Sequence, residues 1–417
     1  GGSTLDYLVL TKVHGAILGP ISQILGWILN VLVTFTNSFG VLNIGLSIIL
    51  FTLVVKLLMF PMTIKQQKAS KLMAVMQPEL QAIQAKYKGK KDNDSMMKMN
   101  VETKAVYEKY GTSMTGGCLQ LVIQMPILFA LYRVIYCIPA YVMPVKEHFL
   151  NVVYALTGAS SASALSEGAA ANLLQFATDH NIALTGINPV GDLTGVTGEA
   201  LANKMVDILY KLNPAQWSDL AQAFPNAADV ISGNAATIEK MNTFLGINLA
   251  SNPFNGSFVP NLAWLIPILA GLTQYASTKL MMATQPKKNN EEDMSSQMMQ
   301  SMNVTMPLMS VFFCFTFPAA IGIYWVASST FQLLQQLVVN SYLDKVDMDE
   351  LIRKNVEKAN KKRAKKGLPP QKVNQNATAS LKHMQAVQEK EEAERAEKLE
   401  KSKKQVEASN NYYNKDA

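Results

Sequence analysis

Residues 294–343, MSSQMMQSMNVTMPLMSVFFCFTFPAAIGIYWVASSTFQLLQQLVVNSYL, contain no Asp, Glu, Lys or Arg. One straight helix of that length would reach roughly 75 Å, more than twice the apolar thickness of a bilayer. The segment must therefore fold back on itself. Pro318, after Phe317, is the natural place, because proline cannot continue a helix hydrogen-bond ladder.

Working outward, the rest of the 417 residues agrees with a membrane chain. Apolar residues make up 49% and charged residues 17%, and the charges are clustered. The net charge of +7 and pI near 9.0 could suggest nucleic acid. However, the positive charge lies in loops that flank apolar spans, and no aromatic-interleaved basic patch accompanies it. Cys118, Cys137 and Cys314 all lie in apolar stretches without metal or disulfide spacing, as buried thiols do.

The pattern predicts an all-α membrane protein with five transmembrane helices, at 41–62, 116–140, 261–283, 303–318 and 319–342. Residues 1–40 form an N-terminal segment. Within it, 14–35 is long enough to span, but Gly19, Gln23, Gly26, Asn30 and Thr34 fall on one side at helical spacing. That stripe suits an amphipathic helix lying in the membrane interface. Both readings stay open, with the interfacial one preferred.

Loop charge sets the orientation. Ten lysines lie between the first two spans, from Lys65 to Lys109. Residues 141–260 carry only Lys146, Lys204, Lys211 and Lys240 against nine acids, and the tail from Asp344 carries eighteen Lys or Arg. So 63–115, the loop 284–302 and the basic tail 343–417 are expected in the cytoplasm. The N-terminus and the 141–260 insertion are expected outside.

Lys56, inside ILFTLVVKLLMFPMT, is the sharpest feature. It lies nine residues before Lys65, hence roughly 13 Å deep from the cytoplasmic side. A snorkelling stem would not easily climb that far, so the ammonium is expected to face protein or water. Gln124, and Gln120 a turn nearer the cytoplasm, reach similar depths in the second span. Gln274 lies somewhat deeper in the third, and Tyr324, Ser328, Gln332 and Gln336 recur every four residues on one face of the last. Thr52 is one turn above Lys56. The outer halves of these spans are largely apolar, which describes a wet pocket closed on the outside rather than a pore. The plainer reading is interhelical hydrogen bonding that only holds the bundle together.

These stretches resemble the YidC insertase family. The resemblance rests on ILGPISQILGWI, SIILFTLVVKLLMFPMT, MQPELQAIQAKY, GGCLQLVIQMPILFALY, WLIPILAGLTQY and FPAAIGIYWVASSTFQLLQQ, in that order. It implies a five-helix core, a preceding interfacial helix, and a cytoplasmic helical hairpin after the first span. With no large outer domain ahead of that span, it also implies a Gram-positive, clostridial-like source. The family's groove arginine falls on Lys56, a departure, since lysine can lose its proton in a dry site. Substrate-contacting roles are implied for Thr52, Gln124, Tyr324 and Trp325. The implied activity is insertion of nascent membrane proteins into the lipid bilayer of the plasma membrane, by a protein working as a monomer. The basic tail contacting the ribosome, and the Sec translocon, are further implied partners.

The hairpin, 66–110, reads as two amphipathic helices turned at KGKKDND, with a kink or break at Pro78 and flexible apolar surface from Met73, Met76, Met96, Met97 and Met99. In the tail, RKNVEKANKKRAKKGLPP reads as unfolded when free, and QEKEEAERAEKLEKSKKQ as a solvated helix. The insertion should form several short helices. Neither His148 nor His180 has a catalytic or metal spacing, and no Walker-type glycine loop is present. No enzyme activity, cofactor or metal is expected. The competing functions are an assembly chaperone or scaffold without translocation, and a secondary transporter using Lys56 as its site. The transporter predicts polar residues reaching the outer face, or internal repeats, and neither is found.

Overall fold

The computed structural model describes residues 18–112, 116–184, 190–282, 294–369, 390 and 393–409; side chains at 116–121, 123–124, 282, 294–300 and 302 lie outside that description. The chain is almost wholly helical and divides into two units.

The first unit comprises residues 1–65 and 119–340. Its apolar helices are α1 (Leu18–Ser38), α2 (Ile44–Leu58), α5 (Gly116–Tyr136), α12 (Leu265–Met282), α13 (Met294–Thr316) and α14 (Ala319–Leu343), the last finishing just inside the other unit. The helix of the first expected span, α2, stops at Leu58 rather than running to Met62. Pro61 has no N–H to offer the Leu57 carbonyl, so the ladder opens at Met59 and a new helix, α3 (Phe60–Lys86), begins with the proline in its first turn. The chain also turns at Phe317–Pro318, so α13 and α14 are separate helices. Loop backbone satisfies their free ends: Ala319 N–H donates to Ser251 O (3.0 Å), Ala320 N–H to Leu249 O (3.0 Å) and Phe254 N–H to Phe315 O (3.1 Å).

Two glycines let helices touch. A Cβ at Gly271 would strike the Val311 side chain, drawing α12 onto α13, and one at Gly322 would strike Ile266, drawing α14 onto α12. Close backbone approach of this kind is how helices associate where hydrophobic exclusion from water gives no drive.

Taken over 18 residues, length and mean hydropathy single out α1 alone among the described helices as able to cross a membrane by itself, and α2 with α3 as a broken span. Met125–Tyr136, within α5, and Asn303–Thr316, within α13, are apolar. Polar residues lower the average elsewhere: in α12, Thr273, Gln274, Ser277, Thr278 and Lys279 fall within ten residues of its end.

α1 differs from the expected polar stripe. Gly19, Ser22, Leu25, Gly26, Leu29 and Val33 form its buried face, with Gly26 against the Tyr141 ring. Asn30 accepts from Met143 N–H at 3.1 Å. Gln23 and Thr34 are exposed, beside Ile24, Trp27, Val31 and Phe35. The glycines thus serve helix packing, and the outward face is mainly apolar.

The insertion folds as α6 (Ile138–Tyr141), α7 (Met143–Thr157), α8 (Ala171–Asp179), α9 (Gly198–Tyr210), α10 (Pro214–Ala223) and α11 (Ala228–Asn242). A two-stranded hairpin, β1 (Thr243–Phe244) with β2 (Ile247–Asn248), follows. Proline at the first turn starts α7 and α10, and an Asn213–Gln216 capping box seals α10. Its core is continuous with α1, α2 and the end of α5. Asn43, the N-cap of α2, donates to Thr243 O at 2.9 Å, and Phe244 covers Gly45.

The second unit comprises residues 66–118 and 341–417. α3 and α4 (Asn93–Lys109) make the hairpin, and α3 runs unbroken through Pro78 where a kink or break is expected. The basic run after the last span is not unfolded. It forms α15 (Met348–Lys365), whose Met348, Ile352 and Val356 pack on Leu72, Met76, Leu80 and Tyr110. Apolar residues four apart, the Asp347 cap, early acids and late bases all favour helix here. A second tail helix, at 393–409, is exposed throughout and carries Lys401–Glu397 and Lys404–Glu400 pairs.

Candidate functional site

Lys56 lies in the last turn of α2 and is half-buried, with no carboxylate or hydrogen-bond acceptor on its ammonium among the described residues. Its backbone carbonyl is one of the free acceptors left by the break at Met59. Gln335 of α14 donates to that carbonyl at 3.1 Å and so fixes α14 against the lysine turn. The four-residue face proposed for α14 runs through Gln332 and Gln336 and passes over Gln335. The missed signal was Pro61, three residues beyond the end of α2, which leaves carbonyls needing a donor.

Thr52 is buried, and its hydroxyl donates to Ile48 O within its own helix at 2.7 Å. Ser47, Thr273 and Ser310 do the same with the carbonyl four residues back. Such bonds let hydroxyls sit in an apolar helix without an outside partner. Thr52 therefore shapes the wall beside Lys56 and has no free donor to offer.

Between α14 and α12, Ser329 Oγ donates to Gln274 Oε1 at 3.3 Å. Ser329 is buried and Gln274 half-buried, so the amide keeps capacity to spare. Tyr324 is buried next to Ser328, with which its hydroxyl pairs. Trp325, Ser328 and Gln332 are half-buried. Among the described residues no hydrogen bond joins Lys56 to Gln274, Tyr324, Ser328 or Gln332. Gln120 and Gln124 lie on α5, but their side chains are outside the described set.

Chemically, this is a cation held in an apolar helix, a turn from a sealed hydroxyl, beside a helix carrying amides, a phenol and an indole. It can solvate a polar or acidic segment, and among the described residues it holds no nucleophile–base pair. No cluster of three or more His, Cys, Asp or Glu able to hold a metal occurs among the described residues.

The sequence matches the model of the family described as 60Kd inner membrane protein over residues 34–162 and 220–346, well over half of the chain. The chain belongs to this family. Membrane protein insertase YidC of Oceanobacillus iheyensis is 27% identical over 307 residues, covering 73% of this chain and 78% of that protein. Membrane protein insertase MisCA of Bacillus subtilis is 25% identical over 312 residues, covering 75% and 76%. Membrane protein insertase YidC 2 of Listeria innocua is 24% identical over 359 residues, covering 84% and 83%. All the helices that carry Lys56, Gln274 and Gln335 lie inside the family match, and its gap, 163–219, falls within the insertion.

Proposed function

We propose that this member of the family is a membrane protein insertase that works through a hydrated groove around Lys56, open to the cytoplasm and to lipid. α2, α5, α12, α13 and α14 cross the bilayer. The N-terminus and the insertion lie outside; the hairpin, the 284–302 loop and the tail lie inside, as their lysines require. α1 turns Ile24, Trp27, Val31 and Phe35 toward lipid at the outer side. A nascent segment meets the hairpin, and its polar flank enters beside Lys56. Water and the ammonium lower the cost of carrying acidic groups part-way across. The apolar part leaves along the exposed leucines of α12 and α14, driven by partition into lipid. The basic tail supplies a ribosome contact through phosphates.

The single observation that carries this reading is an ammonium without a carboxylate partner among the described residues, half-buried in the apolar helix α2 of a family whose relatives are named insertases. The test is rescue of cells depleted of their own insertase. Lys56→Arg restores insertion, whereas Lys56→Ala fails on substrates with acidic translocated tails and retains those with neutral tails. Equal rescue of acidic-tail substrates by the alanine variant removes Lys56 from the mechanism. Folding of substrates without tail translocation would instead support an assembly chaperone.

A further inference from the structure

From Met241 to Thr278 the chain has no charged residue, although only its second half is the apolar helix α12. The first half is the β1–β2 hairpin and the loop that follows, and both sit on helix ends. Thr243 O is held by the N-cap Asn43 of α2. Asn252 Nδ2 donates to Thr316 O at 3.0 Å, and Phe254 N–H to Phe315 O. Trp264 Nε1 and Asn261 Nδ2 both donate to Pro253 O, at 3.1 Å each. The loop is thus fixed at the level where α13 ends and α14 begins.

At that level it shows greasy side chains rather than polar ones. Leu245 at the hairpin tip is 80% exposed, Phe258 86% and Val259 71%, with the Phe254 and Phe258 rings paired at 5.5 Å. The tip lies beside Leu262, since a Cβ on Gly246 would be 3.3 Å from its Cδ2. Leu262, Leu265, Ile268, Leu269 and Leu272 continue the exposed apolar strip down α12. The tip is also conformationally costly. Leu245 (φ 49°) and Gly246 (φ 80°) are both left-handed, as a two-residue turn between twisted strands requires. Asn-Gly suits such a turn, and a branched apolar residue in its first position is an outlier. A residue kept there against its backbone preference points to a use for its side chain.

We infer that Leu245, Phe258 and Val259 form a membrane-surface anchor, seated among the headgroups and upper acyl chains of the outer leaflet, that holds the insertion against the bilayer. This rests on the outward orientation proposed above and goes beyond it, because the anchor belongs to a segment between spans. The occupant is lipid because the patch is continuous with the apolar strip of α12. With no charge in the segment, seating depends on apolar partition and not on anionic headgroups.

The test uses the full chain in vesicles, with Cys118, Cys137 and Cys314 replaced by Ala and a nitroxide on a single cysteine at 245, 258, 269 or 163. Oxygen and a water-soluble nickel chelate report lipid and water exposure. Probes at 245 and 258 are expected to read as lipid-exposed, like 269 and unlike 163, equally in phosphatidylcholine and in mixtures with phosphatidylglycerol. Aqueous readings at 245 and 258 with a lipid reading at 269 overturn the anchor and leave the spans intact. An aqueous reading at 269 overturns both, and seating only on anionic vesicles overturns the uncharged mode. Leu245→Asn suits the turn; with a nitroxide at 258, it is expected to shift that probe toward water, and no shift assigns the tip no part in anchoring.

Discussion

At the residue scale, two side chains one turn apart on α2 have opposite fates. Thr52 has given its hydroxyl to Ile48 O, while the Lys56 ammonium has no acceptor among the described residues. Thr52→Val keeps the shape of the wall and removes only an internal bond, so it is expected to leave insertion unchanged in the same rescue assay that fails for Lys56→Ala. Loss of activity in Thr52→Val would show that the hydroxyl is released to substrate during the cycle. Gln335 plays a third role, because its amide occupies a carbonyl that the break at Met59 leaves open. Gln335→Leu strands that carbonyl in an apolar setting, at a cost of about 1–3 kcal/mol. A lower unfolding temperature in detergent is the expected result, and an unchanged one would mean that water replaces the amide at no cost.

At the scale of elements, α15 is the clearest lesson. A run of lysines and arginines read as unfolded is a helix docked on the hairpin through Met348, Ile352 and Val356. Those residues are spaced by four and were visible, but the density of charge around them outweighed three apolar positions. Of the hairpin methionines expected to offer apolar surface, Met76 is buried under α15 and Met73 packs beside it, while Met96 and Met97 are exposed together with Val101. By contrast, the break at Pro318 and the helical insertion were legible, because proline chemistry and apolar periodicity act locally. The link from Gln335 to Lys56 joins residues far apart in sequence, so no local pattern could announce it. Ile352→Ala is expected to weaken the docking by roughly 2–5 kcal/mol, as core truncations do. Faster amide exchange over 348–365, with α4 unaffected, is the measurement; exchange as slow as in the parent would mean that α15 is held by something other than this core.

At the scale of the whole molecule, the 163–219 gap in the family match is built into the core of the 141–260 insertion rather than appended to it. Phe149 of α7, inside the match, packs on Tyr210 and Trp217, which lie in the gap, at ring separations of 5.9 and 6.2 Å. The same segment buries Lys204 completely, near Asp207 and Lys211. Burial pushes the Lys204 ammonium down to about 8 against the opposing pull of Asp207, and burial lowers Lys211 as well. Between that value and the ordinary 10.5, the unfolded chain holds a proton that the folded domain has released. Stability therefore rises with pH across that window, and below it the domain carries the full cost of a buried cation. Above about 10, Tyr210 acts the other way, because burial keeps its phenol protonated in the folded state when the unfolded chain has lost the proton. The insertion's melting temperature, followed by calorimetry, is expected to climb from pH 7.5 to near 10. Lys204→Met should raise it at pH 7 and flatten the climb, since Asp207 keeps Lys211 as a neighbour. A melting temperature that falls with pH over this range, or a methionine variant less stable at pH 7, would mean that the ammonium is stabilised by its partners by more than burial costs it.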